Sequence, residues 1–194
     1  RKAADIAAEI AGWQATRRAQ GLPPLIIASD QEGGEVSRLS PPLERLPSLA
    51  TLVSKANTSE GRRAVAFDYG RKQGADLARL GVTLNLAPVV DLNFNVRSPA
   101  DSHTRIYRRA IAREPGIVAE TAEAYCQGLA EAGVSCTLKH FPGLGRLAKD
   151  THVSEARLEL PEAVLEGTDW IPFRSVPRPS STYLMLGHVR LSAV

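Results

Sequence analysis

An α/β fold with parallel strands is what this sequence predicts, on two observations. Along the 194 residues, short apolar runs alternate with amphipathic stretches of helical period, in the order helix then strand, four times over. Polar residues then follow each of the four runs directly: Asp30, Asp91, Lys139-His140 and His188. In a (β/α)8 barrel all strand ends converge on one face, where its chemistry lies. An open doubly wound sheet would gather its polar groups at one switch point instead. Because polar groups follow all four strands, the barrel is the better reading. Such barrels need eight strands and typically about 250 residues. The chain is therefore expected to supply about half of a barrel, residues 1–194 forming part of one domain.

Each element has its own signal. Residues 2–20 carry the stripe Ala3, Ile6, Ile10 and Trp13, and Gly21 stops that helix. Leu25 to Ser29 (LIIAS) is a compact apolar run, expected to be a buried strand, and residues 40–49 are a Pro-rich loop. Ser59 to Leu80 is expected to be helical, with Thr58 or Ser59 as N-cap and Gly81 as stop. Val82 to Leu86 (VTLNL) is the second strand, followed by the polar, irregular residues 94–113. Pro115 fits the first turn of a helix whose stripe Val118, Thr121, Tyr125 and Leu129 runs to Gly133. Val134 to Leu138 is the third strand, a short helix holds Trp170, Pro172 and Phe173, and Tyr183 to Leu186 is the fourth strand.

Composition narrows the function classes. Hydrophobic residues at 43% and charged residues at 23% are ordinary globular values. The net charge of +3 comes from scattered pairs, Arg17-Arg18, Arg62-Arg63 and Arg108-Arg109, without interleaved aromatics. These read as solvated helix faces, so no nucleic-acid partner is expected. No run of about 18 apolar residues occurs, so no membrane span is expected. Cys126 and Cys136 make no disulfide framework and are expected to be buried free thiols.

The chemistry concentrates between Cys136 and His152, which reads CTLKHFPGLGRLAKDTH. Lys139 and His140 stand where the strand should finish. Gly143 and Gly145 then suit unusual backbone angles or close backbone approach. The loop closes on Asp150-Thr151-His152, a carboxylate two residues from an imidazole. Taken singly, each feature has a plainer explanation: Asp30 as a turn cap, Asp150 and His152 as a surface pairing, His103 as an exposed loop residue, Glu32 as a structural turn residue. Their combination, in order and at strand ends, points to a site.

DQEGGEVSRL (Asp30 to Leu39), LNLAPVVDLN (Leu84 to Asn93) and KHFPGLG with DTH (Lys139 to His152) together resemble the family 3 glycoside hydrolases. Bacterial β-N-acetylhexosaminidases of that family are the nearest match. The resemblance covers nearly the whole chain and implies a (β/α)8-type catalytic barrel. It implies that Asp30, Arg38, Arg105, Lys139, His140 and His188 bind sugar, and that His152 is the general acid/base with Asp150 as its partner. Two local departures stand out: Leu144 replaces a histidine common in relatives, and residues 97–107 fit the pattern poorly. The nucleophilic Asp of the resemblance belongs to a Ser/Thr-Asp-Asp motif expected downstream of Val194.

What the resemblance implies is a retaining hydrolase that removes terminal β-linked N-acetylglucosamine, with peptidoglycan fragments as the expected source. No cofactor is implied, and the expected partner is a small carbohydrate. The expected location is the bacterial cytoplasm, or the periplasm or a lipid anchor if a signal precedes residue 1. An imidazole suits the acid/base role because it titrates near neutrality without the pKa elevation a carboxyl group would need. Phosphorolysis of the same bond is an alternative, as is an inactive sugar-binding fragment lacking the nucleophile. A metal site built from Asp30, His140, His152 and His188 is a weaker one, since no pair has the spacing of common zinc motifs.

Overall fold

The computed structural model describes residues 1–177 and 182–192. The expected domain span of 1–194 thus includes residues 178–181 and 193–194, which lie outside the described ones. In chain order the elements are α1 (Ala3–Ala19), β1 (Ala28–Ser29), β2 (Gln31–Gly33), β3 (Val36–Ser37), α2 (Leu49–Val53), α3 (Ser59–Leu80) and β4 (Leu84–Asn85). There follow α4 (Ile106–Arg109), α5 (Pro115–Glu131), β5 (Cys136–Phe141), β6 (Ala156–Leu158), α6 (Glu162–Gly167), α7 (Ile171–Ser175), β7 (Thr182–Leu186) and β8 (Val189–Leu191).

Four parallel strands form the frame. β1 pairs with β4 and β5 with β7, both in parallel. Parallel bridges Leu84↔Ser135 and Val89↔Lys139 join β4 to β5. The spatial order is therefore β1-β4-β5-β7, sequence neighbours lying side by side, as in a barrel wall. β2 and β3 make an antiparallel hairpin above β1, and β6 pairs with β8 in parallel.

The long helices form where their signals predict. Thr58 caps α3, its hydroxyl accepting from the Gly61 amide, and Gly81 ends it in the left-handed region at φ 84°. Pro115 occupies the first turn of α5. α3 and α5 cross at very short range through two glycines. A Cβ built on Gly70 would lie 2.2 Å from the Tyr125 carbonyl oxygen, and one on Gly128 would lie 2.2 Å from that of Phe67. Around this crossing sits the main core, with Leu77, Leu80, Val90, Leu92, Val118, Leu129 and Leu138 buried.

Several expectations are corrected. The arginines are not all solvated: Arg62 Nε lies 2.5 Å from Glu120, and Arg63 Nη1 2.6 Å from Glu123, so both clip α3 to α5. Cys126 and Cys136 are not free thiols but form a disulfide with Cα atoms 5.5 Å apart. The chain turns at Gly133 and runs back along α5, which brings the start of β5 beside the helix. The run Leu25 to Ser29 pairs only at Ala28 and Ser29, and Ile26 is 59% exposed. The reason is position: β1 has a partner on one side alone among the described residues. β7 is the opposite outer strand, where Leu184 and Leu186 are exposed. Residues 94–113, expected to be irregular, contain the single helical turn α4.

Candidate active site

The sequence places its polar residues at strand ends, and the fold brings those ends together. A cavity of about 520 Å³ opens there, and Asp30, Arg38, Lys139, His140, His152 and His188 all line it. Asp150 stands behind His152, fully buried. Arg105 does not line the cavity. Its Nε donates to the Ser102 carbonyl at 2.7 Å, and its nearest carboxylate is Glu35 at 3.9 Å. The arginine from this region that lines the cavity is Arg109, one turn further on, at the end of α4.

Asp30 follows β1 directly, and Arg38 N donates to its carbonyl at 3.0 Å, closing the β2–β3 hairpin beneath it. A buried polar latch fixes this hairpin to the sheet. Asn85 at the end of β4 accepts from Gln31 N at 3.0 Å and donates to Gln31 O at 2.9 Å. The side chain of Gln31 in turn donates to Ser40 and accepts from Leu39 N. A backbone amide and carbonyl are thus satisfied by one amide side chain, as burial requires.

Lys139 projects from β5 into this corner and is only 1% exposed. Its Nζ lies 2.6 Å from both Asp30 Oδ1 and Glu32 Oε1. Arg109 grips Glu32 from the other side, Nη2 at 2.6 Å and Nε at 2.9 Å, a bidentate pairing. Burial alone would raise the Glu32 pKa. The hydrogen bonds and positive charges of Arg109 and Lys139 outweigh it and hold the carboxyl below its ordinary value. Two cations and two carboxylates are thereby nearly neutral as a group. Asp30 remains partly exposed, its side chain at 36%, and faces the cavity. Lys139 thus lines the cavity and at the same time holds Asp30. The guanidinium of Arg38 has no carboxylate partner among the described residues.

His140 stands at a bulge. Lys139 pairs with Met185 and Phe141 with Leu186, so His140 has no opposite residue on β7. Its ring Nδ1 lies 2.7 Å from Asp91 Oδ2, and Asp91 also accepts from the His140 and Leu144 amides. Leu144, where a polar residue was noted as common, is buried at 2% and packs under the loop. The loop continues through Gly145, where a Cβ would meet the Leu92 carbonyl oxygen at 1.9 Å. Only glycine allows that approach. His188 follows β7, and Gly187 before it donates to the Phe141 carbonyl at 2.7 Å.

The Asp150 carboxylate is saturated with donors. Oδ1 accepts from His152 N at 3.0 Å and Thr104 Oγ1 at 3.2 Å, and His152 Nδ1 lies 2.9 Å away. Oδ2 accepts from His103 N at 2.9 Å, with His103 Nδ1 at 2.7 Å. Burial would raise this pKa, but the hydrogen bonds from the backbones and rings of His152 and His103 overcome it, and Asp150 stays ionised far below its ordinary value. An ionised carboxylate only accepts, so it fixes His152 with hydrogen on Nδ1 and leaves Nε2 on the far side of the ring. His103, expected to be an exposed loop residue, is part of this cluster.

Three residues of the site escaped the sequence reading in whole or part: Arg109, His103 and Glu32. Arg109 and His103 come from a loop with no periodicity. Glu32 alternates with Asp30 across one residue, the spacing that puts two side chains on one face of a strand. That was the available signal. Among the described residues no group of three or more His, Cys, Asp or Glu is arranged to hold a metal ion.

A strand-end cavity in a parallel α/β half-barrel, with an imidazole backed by a buried carboxylate, has the form of an enzyme's acid/base site. Comparison with known proteins identifies the family. Residues 3–194 match the family model described as the glycosyl hydrolase family 3 N terminal domain. Among curated relatives, a beta-hexosaminidase of Xylella fastidiosa (strain M12) is 36% identical over 183 residues, covering 94% of this chain and 52% of the relative. A solved structure of NagZ from Neisseria gonorrhoeae in complex with N-trifluoroacetyl-D-glucosamine superposes with TM-score 0.85 at 31% identity, over 98% of this chain and 54% of that one. A family 3 β-N-acetylglucosaminidase from Paenibacillus superposes with TM-score 0.86 at 27% identity, covering all of this chain and 35% of that one. The chain belongs to glycoside hydrolase family 3, and its fold is half of that family's barrel. It spans about half the length of the curated relatives it matches.

Proposed function

We propose that the protein carrying this chain is a retaining glycoside hydrolase that removes terminal β-linked N-acetylglucosamine, and that residues 1–194 are part of its catalytic barrel. The observation that carries the reading is His152, held by a buried ionised carboxylate at the rim of a cavity lined by Asp30, Arg38, His140 and His188. In this reading Asp30, Arg38, His140 and His188 hydrogen-bond the sugar, Lys139 and Arg109 holding Asp30 and Glu32 in place. Protonated His152 gives its Nε2 proton to the glycosidic oxygen as that bond breaks. The neutral ring then takes a proton from the water that releases the sugar from the nucleophile. That nucleophile is assigned to an Asp beyond Val194, consistent with relatives of about twice the length. Asp150 stabilises the imidazolium without itself taking the proton.

The relatives' names support the substrate class: the Xylella relative is named a beta-hexosaminidase, and the Neisseria structure holds an N-acylglucosamine analogue. Peptidoglycan fragments remain the proposed source. The Cys126–Cys136 disulfide favours an oxidising compartment, the periplasm or cell surface, over the cytoplasm. Among the described residues no helix is long and apolar enough to cross a membrane. A second reading, phosphorolysis of the same bond, draws on Arg38 in the cavity, which has no carboxylate partner among the described residues.

The test is leaving-group dependence in the full-length protein. His152→Ala should lower turnover of an N-acetylglucosaminide with a poor leaving group by about 10²–10⁴-fold, and much less with an activated aryl leaving group. Equal losses on both would remove His152 from the acid role. Sugar 1-phosphate appearing when phosphate is added would favour the second reading.

A further inference from the structure

His103 has no place in the mechanism above, yet it lines the same cavity as His152 and is bound to the same carboxylate. The two rings are 6.4 Å apart and edge to face. Each takes its own oxygen of Asp150: His152 lies on Oδ1, His103 on Oδ2. Ser102 Oγ supports the arrangement, 2.8 Å from His103 Nδ1 and 3.3 Å from Asp150 Oδ2. Both rings are largely exposed, at 65% and 62%, while the carboxylate between them is wholly buried. Asp150 therefore meets both solvent-facing imidazoles from a buried position.

We propose that His103 is a positioning residue that divides the charge of Asp150 with His152 and so sets the pH range in which the acid/base pair works. The proposal rests on the reading of His152 as the proton carrier. A carboxylate with one partner lends that partner its full charge. A second ring on the other oxygen withdraws part of that charge, by a hydrogen bond when neutral and as a countercharge when protonated. The charge state of either ring is then felt by the other through the carboxylate they share. His103 also fixes the rotation of the carboxylate, keeping Oδ1 towards His152.

Among the described residues, the other charged groups on the same loop and in the cavity make no bond to either ring. Asp101 of the same loop accepts from the Thr104 and Arg105 amides. Arg105 donates to Ser102 O, and Arg109 on α4 donates to Thr104 O and Glu32. Lys149 adjoins Asp150 in the chain, and the remaining cavity groups are Asp30, Arg38, Lys139, His140 and His188. Among the described residues none of these forms a hydrogen bond or ion pair with either ring.

The experiment uses the full-length protein as wild type, His103→Ala and His103→Asn, the last keeping a side-chain N–H donor that does not titrate. The readouts are the pH profile of kcat/KM on an alkyl β-N-acetylglucosaminide, whose poor leaving group needs the acid, and the nitrogen-15 imidazole signals across pH. In His103→Ala the alkaline limb should move up by about 0.5–1 pH unit, a shift of the size expected when a coupled partner is removed, and the His152 ring signals should move with it. His103→Asn should recover part of the shift, with His152 now titrating as a single site. His152 signals and an alkaline limb unchanged in both variants would overturn the proposal, as would a loss in kcat with no movement of the limb. If the protein does not cleave the glycoside, the proposed function fails. The ring signals then still decide whether His103 and His152 share the carboxylate.

Discussion

Asp91 and His140 are 49 residues apart in the chain, yet the ring Nδ1 of His140 lies 2.7 Å from a carboxylate oxygen that is fully buried. Asp91 also accepts from two backbone amides, those of His140 and Leu144. One side chain thus determines both the ring orientation and the start of the following loop.

Asp91→Asn should leave at least one of these donors facing an amide N–H. The expected cost is about 1–3 kcal/mol, the desolvation penalty of an unmade buried hydrogen bond, together with a lower kcat/KM. Urea denaturation followed by circular dichroism measures the first part. An unchanged midpoint would show that Asp91 is not the anchor described.

Arg109 and Arg105 offer a paired comparison four residues apart. Arg109→Ala breaks a buried bidentate pair and leaves Glu32 with Lys139 alone, so a loss of about 3–5 kcal/mol is expected. Arg105→Ala loses a bond to one carbonyl and a 3.9 Å ion pair between exposed side chains, and should stay within about 0.5 kcal/mol. Equal effects of the two substitutions would restore Arg105 to the site.

The pH dependence has a definite sign. Asp150 is held below its ordinary value of 3.8 in the folded chain. Its contribution is therefore fully present above that unfolded value and is lost as pH falls below it, towards the folded one. Thermal melts should show wild type losing stability on acidification below about pH 4 more steeply than Asp150→Asn, which has no such proton to bind. Parallel curves for the two proteins would contradict the hydrogen-bonded carboxylate.

Gly70→Ala should disturb the crossing of α3 and α5, because its Cβ would lie 2.2 Å from a backbone oxygen that has no rotamer to change. Despite the better helix propensity of alanine, a net loss of about 1–3 kcal/mol is expected from overpacking. Gly12, on the open side of α1 with nothing within 4 Å, is the control and should gain slightly on the same substitution.

Legibility of the fold followed the range of its interactions. α3 could be read to the residue because Thr58, Gly81 and a 3.6-residue stripe are local signals. The polar strand ends Asp30, Asp91, Lys139-His140 and His188 could be read because they interrupt apolar runs. The strand lengths could not, since pairing at Ala28 and Ser29 alone depends on which strands stand beside β1. The disulfide was hidden for the same reason: a separation of 10 positions between the cysteines says nothing until Gly133 turns the chain. Arg109 was hidden by its neighbour, as an Arg-Arg pair reads as solvated although one member is 10% exposed and the other 46%. His103 lay in a stretch without periodicity, and only the fold shows that it meets Asp150.

The contacts that shape the cavity span 109 residues for Lys139–Asp30, 77 for Arg109–Glu32 and 47 for His103–Asp150. No segment of the chain can form any of them by itself, and each closes a long loop at an entropic cost before it is formed. The helices α3 and α5, whose hydrogen bonds are local, carry no such delay. The cavity is accordingly expected to take shape late in folding, only once β1, α4 and β5 have met.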